Sequence, residues 1–148
     1  MNRFRFRLES LLRFRAAKEE EKKREFGVVI GHLKHEEARY NTIVNNIDQH
    51  DKFMEESGQG KVSVRTLIYN FFYARSLEKR KSEQKKEVEK AEELVGKKRS
   101  QLTEATKKKR IIERLKENKL EEYDQAVIKE DQALIDEVAT QRYNHQDM

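Results

Sequence analysis

The amino-acid sequence predicts an all-α protein: two long helices folded back as an antiparallel coiled-coil hairpin, with the C-terminal helix longer and overhanging. Three observations carry this. The chain of 148 residues has no proline and only 5 glycines. Proline inside a helix costs about 3 kcal/mol through the lost N–H and the clash with the preceding turn, so a chain without it reads as nearly uninterrupted helix. Next, 41% of the residues are charged and 35% hydrophobic, with a mean hydropathy of −1.08. A compact globule is nearer half apolar and a quarter charged, which leaves either disorder or a thin fold burying a narrow apolar seam. Finally, the apolar residues are periodic and include 7 Phe and 5 Tyr, where a disordered chain has few aromatics and no period.

The strongest break is Ser57-Gly58-Gln59-Gly60-Lys61, a turn-like cluster. Ser63 follows as an N-cap ahead of Val64, Leu67 and Ile68. One domain over 1–148 is expected, with a helix over 5–56, a turn over 57–62, a helix over 63–143 and a polar tail over 144–148. Spacings of four and three mark a coiled-coil seam. On the first helix they pick out Leu8, Leu12, Arg15, Glu19, Lys22, Phe26, Val29, Leu33, Glu36, Tyr40, Ile43, Ile47, His50 and Met54. The seam lapses at Arg15, Glu19 and Lys22, where pairing is expected to be loosest. The second helix offers Leu67, Phe71, Ala74, Leu77, Val88, Ala91, Val95, Leu102, Ala105 and Ile112. A shifted register through Leu115, Tyr123, Val127, Leu134 and Val138 suggests a stutter.

Folding at Gly58–Gly60 sets Val29 near Ala91, Leu33 near Val88, Ile43 near Leu77 and Met54 near Leu67. Phe26 falls near Leu94–Gly96, where the glycine leaves room for its ring. The N-terminus then pairs near residues 115–119. At 1.5 Å per residue the arms are about 75–80 Å and about 120 Å, so the segment from Leu120 to Tyr143 overhangs. Its stripe of Leu120, Tyr123, Val127, Leu134, Ile135 and Val138 has no partner in its own chain and asks for one elsewhere.

Several function classes are disfavoured. The absence of cysteine removes disulfides, thiolate zinc sites and cysteine nucleophiles, and fits a reducing cytosol. No phosphate loop, Gly-rich fingerprint or Gly-x-Ser-x-Gly turn is present, and a two-helix hairpin encloses no pocket; no enzyme and no cofactor are expected. His32 and His35 sit three apart beside Glu36, but a zinc site needs further ligands at recognisable spacing, and none is apparent. Gly27 and Gly31 have the spacing of close helix contact, but Val28-Val29-Ile30 is far too short a membrane span. There is no apolar leader region and no long apolar run, so neither a secretion signal nor membrane insertion is expected.

The net charge is +5 from 33 basic and 28 acidic residues. Basic runs such as Lys107-Lys108-Lys109-Arg110 are interleaved with acids, which reads as a solvated helix surface, and no nucleic-acid partner is expected. The N-terminus departs from this balance: Arg3, Arg5, Arg7, Arg13 and Arg15 face only Glu9 before residue 18. The cluster Tyr69, Phe71, Phe72, Tyr73 surrounds its helix, so some rings must point away from a two-helix seam. They either staple the hairpin tip or form a protein-binding patch.

The opening Phe4-Arg5-Phe6-Arg7-Leu8-Glu9 with Leu11, Leu12 and Arg15 is similar to the flagellar export protein FliJ family. So are the Gly-containing turn, the Tyr/Phe cluster leading into Leu77-Glu78-Lys79, the stretch from Leu115 to Tyr123, and Asp136-Glu137-Val138-Ala139. The resemblance spans essentially the whole chain. It implies a non-enzymatic part of the bacterial type III flagellar export apparatus, cytoplasmic and peripheral to its membrane-embedded portion. The implied role is a coiled-coil stalk whose paired terminal end enters the hexameric export ATPase and favours its assembly. A face of the coil would engage the export-gate membrane protein, and export chaperones are further candidate partners. Carried onto this sequence, the ATPase-facing residues are Phe4, Phe6, Leu8, Leu11, Leu120, Tyr123, Val127 and Leu134. The gate-facing residues are Tyr40, Tyr73, Leu77 and Gln84. The alternative is a scaffolding coiled coil without effect on an ATPase.

Overall fold

The computed structural model describes residues 2–58, 60 and 62–146. Two helices account for nearly all of them: α1, Glu9–Ser57, and α2, Val64–Gln146. They pack against each other as an all-α helical hairpin. Ser63 caps α2 as expected, its Oγ accepting from the Thr66 N–H at 3.2 Å. At the other side of the turn the Gly58 N–H donates to the Met54 carbonyl at 3.0 Å. A Cβ at Gly58 would lie 3.2 Å from that same oxygen, a crowding that glycine avoids. Gln59 and Lys61, within the expected turn, and residues 147–148 of the expected tail lie outside the described residues.

The helix bounds differ from expectation at both ends. α1 begins at Glu9, not at residue 5. Residues 2–6 have no regular structure, and within 3–8 the arginines are exposed while Phe4, Phe6 and Leu8 are half-buried. Strict alternation of polar and apolar residues has the two-residue period of extended chain, which a helix cannot match to a single face. α2 continues through Tyr143 to Gln146.

The chain forms two compact units, Glu21–Thr103 and the first twenty residues together with those from Glu104 onward. In the Glu21–Thr103 unit the core is a thin seam whose buried apolar members are Val29, Leu77, Ala91 and Val95. The α1 side follows the expected four–three series. The α2 side corrects the sequence reading: Leu67 and Phe71 are exposed, and the covered stripe starts at Asn70. It runs through Ala74, Leu77, Lys81, Gln84, Val88, Ala91, Val95, Lys98 and Leu102 without a shift. Several of these positions are polar, and Asn70, Gln84 and Lys98 find partners on α1. The Gln84 amide donates to the Glu36 carbonyl at 3.0 Å and also to the Glu36 carboxylate. The His50 ring is 3.4 Å from the Asn70 side-chain oxygen, and Lys98 Nζ is 3.3 Å from Glu25. Phe26 lies under the Arg99 guanidinium at 5.7 Å. It does not depend on Gly96, which is exposed and where a Cβ would meet nothing within 4 Å. Gly27 and Gly31 are likewise open, so they mark no close helix approach.

In the other unit the same series continues on α2 through Ala105, Lys109, Ile112 and Lys116, so no stutter interrupts it. The expected lapse in pairing is also corrected. Glu19 is buried, and Lys109 bridges it at 3.2 Å and Glu113 at 3.4 Å. A buried carboxylate must be neutralised or hydrogen-bonded where it sits, and Lys109 supplies that pairing from α2. Lys116 closes on Glu9 at 2.9 Å.

Candidate protein-binding surfaces

The terminal surface is built on residues 2–8, which turn their apolar side chains toward α2. The Tyr123 hydroxyl donates to the Asn2 carbonyl at 2.7 Å. The Phe4 and Tyr123 rings stand 5.5 Å apart, tilted at 53°, within the range of favourable aromatic pairs. An open groove of about 860 Å³ results, walled by Phe4, Phe6, Leu8, Leu115 and Tyr123, with Arg3, Arg5, Arg7, Lys119 and Glu122 around it. The fold thus brings together Phe4, Phe6, Leu8 and Tyr123. The N-terminal segment reaches Tyr123, further along α2 than residues 115–119, so the overhang starts later than expected. Leu11 and Val127 are half-buried on their own helices, and Leu120 is partly exposed. From Ile128 to Gln146 every residue is exposed. There Leu134, Ile135 and Val138 present an exposed apolar stripe; Leu134 is 61% exposed.

The second surface lies in the Glu21–Thr103 unit. Tyr73 is partly exposed and sets its ring edge against His50, centroids 4.9 Å apart. Tyr40 is half-buried along the seam. Leu77 and Gln84 face the other way: they are 2% and 6% exposed and make their contacts inside the hairpin. Around Tyr73 the exposed apolar set is wider than the sequence cluster, for Phe53, Val64, Leu67 and Ile68 join Tyr69, Phe71 and Phe72. Phe71 and Phe72 meet edge to face at 5.7 Å. Reading the α2 seam from Asn70 rather than Leu67 would have placed these side chains outside it.

Perturbed titrating groups belong to the seam. The hydrogen bond from Gln84 holds the Glu36 carboxyl below its ordinary value against the opposing effect of burial, aided by the positive field of Arg39, His32 and His35. Hydrogen bonds from Lys22 and Lys98 lower Glu25 in the same way. Glu19 and then Glu113 raise Lys109. Each shift favours the charged form that locks the two helices, so these groups serve the fold. No helix of the described residues is long and apolar enough to cross a membrane.

Comparison with known proteins agrees with this architecture. The family model described as flagellar FliJ protein matches residues 4–147. No curated protein and no solved structure matches the chain.

Proposed function

Since the chain belongs to the flagellar FliJ family, and is thereby a non-catalytic component of the flagellar export apparatus, we propose that it acts there as a stalk for the hexameric export ATPase. The observation that supports this most directly is the uncovered stripe of Leu134, Ile135 and Val138 on α2. An apolar helical stripe in water gains by finding a partner, and a helix carrying one beyond its own hairpin is suited to enter a ring. Phe4, Phe6, Leu8 and Tyr123 form the neighbouring part of the same unit, with Leu11, Leu120 and Val127 on the flanking helix faces. A helical stalk touching ring subunits unequally biases their assembly or the order of ATP turnover. It supplies binding free energy and no chemistry.

The second surface is proposed to face the export gate. Tyr73, with the exposed rings beside it, and Tyr40 are the candidates for contact, while Leu77 and Gln84 position them from within the seam. Export chaperones are a further proposed class of partner, and the proposed location is cytoplasmic, at the periphery of the membrane-embedded apparatus.

The test is the rate of ATP hydrolysis by the flagellar export ATPase of the same organism, with and without this protein. The expected result is a saturable rise accompanied by hexamers in light scattering. Leu134→Asp with Val138→Asp should abolish the rise while leaving the hairpin folded, because both residues lie on the uncovered part of α2. An unchanged rate and assembly state, with the ATPase shown to be active, would replace the stalk with a scaffold.

A further inference from the structure

We propose that the N-terminal arginine row is a docking surface for an anionic lipid bilayer. Arg3, Arg5, Arg7 and Arg13 are exposed, and none of them makes an ion pair among the described residues. The neighbouring carboxylates are engaged elsewhere: Lys116 takes Glu9, Lys109 takes Glu19, and Lys119 takes Glu122, which shares the groove. The positive charge is therefore uncompensated locally, although the chain as a whole carries only +5. Alternation fixes its geometry. Phe4 and Phe6 are half-buried while the three arginines of residues 3–7 alternate with them and stay exposed in one short segment, at the rim of the groove that this segment walls.

Guanidinium groups suit phosphate because they donate in a planar fork and stay charged. Four to eight basic residues grouped beside apolar side chains are the pattern that anionic leaflets attract. Single-stranded nucleic acid would need open rings for base stacking. Here Phe4 is taken by Tyr123, and Arg15 and Lys18 stand over the Phe14 ring at 5.7 and 5.9 Å. The bilayer demands no such rings, only dense negative charge facing the row. This goes beyond the ATPase reading and does not depend on it.

The experiment is co-sedimentation of the full chain with vesicles of phosphatidylcholine alone or mixed with phosphatidylglycerol, at low and at physiological salt. Binding is expected only with phosphatidylglycerol, weakening as salt rises. The variant Arg3→Gln/Arg5→Gln/Arg7→Gln should bind more than tenfold more weakly, since each arginine near an anionic leaflet contributes about fivefold. Its substitutions precede α1, and unchanged circular dichroism would confirm the fold. Lys97→Gln/Lys107→Gln/Lys108→Gln removes equal charge elsewhere and should bind as the parent does. Equal binding to both vesicle types, no binding to either, or equal loss in the two triple variants would each overturn the proposal. So would tighter binding to polyglutamate or to a single-stranded oligonucleotide than to the phosphatidylglycerol vesicles. No ATPase is present, so the result stands apart from the stalk test.

Discussion

The seam of the Glu21–Thr103 unit and that of the terminal unit use one helical spacing but hold together by different forces. The first buries Val29, Leu77, Ala91 and Val95, interrupted by the hydrogen-bonded polar layers of Glu36 with Gln84 and of His50 with Asn70. In the second, Glu19 is the one buried residue among those described, and the contacts include Lys109 to Glu19, Lys116 to Glu9, and Phe4 on Tyr123. Apolar burial has no charge for salt to screen, whereas ion pairs near the surface are screened. The difference teaches that a four–three spacing specifies which residues meet and leaves open what makes the meeting favourable.

The largest effect is expected from Leu77→Ala, which removes the most completely covered large side chain of the seam. Leu-to-Ala changes in cores cost about 2–5 kcal/mol, and urea unfolding should register a loss in that range. A loss under about 1 kcal/mol would mean that the apolar seam is not what holds this unit. Gln84→Leu should have a smaller and pH-dependent effect. The folded-state pKa of Glu36 is lowered from an ordinary 4.5, so its contribution is complete above that value and is lost as pH falls through the depressed folded value. The variant loses the donor chiefly responsible. It should be less stable than the parent at neutral pH, with the gap closing as the pH drops below about 4.5 in acid titrations followed by circular dichroism. A gap independent of pH would show that Gln84 acts by packing alone. The smallest effect is the one that separates the two units most cleanly. Raising ionic strength from about 0.01 M to about 1 M shortens screening from about 30 Å to about 3 Å. Amide exchange should then quicken severalfold over residues 9–20 and 104–123 and stay constant over 77–95. Equal quickening in both would erase the distinction.

How much of this was legible in the sequence differs by helix. On α1 the seam could be read residue by residue, because its apolar members recur often enough to carry the phase across Glu19, Lys22 and Glu36. On α2 the covered positions include Asn70, Lys81, Gln84, Lys98, Lys109 and Lys116. The apolar pattern points to Leu67, Phe71 and Leu115, which are exposed, and passes over these polar positions. The polar positions are covered because of partners on α1, which no local pattern reveals. The same holds for Glu19, which read as a weak point until Lys109 stood beside it. The start of α1 differs for the opposite reason: the Phe–Arg alternation of residues 3–8 is visible in the sequence and already marks a segment that is not helix. Of the proposed binding residues, Phe4, Phe6, Leu8 and Tyr123 share one groove, whereas Leu77 and Gln84 turned inward because their place in the seven-residue period outweighs their nearness to exposed aromatics.

The bond between Glu36 and Gln84 also fixes the hairpin like a key cut for one notch. Sliding α1 past α2 by a heptad, the step that would keep the apolar faces in phase, would set Glu36 against Leu77 or Ala91. Its carboxylate would then sit in an apolar layer without a donor. Only one alignment of the two helices is therefore comfortable, and any message carried through this unit must travel by some movement other than a slip of one helix along the other.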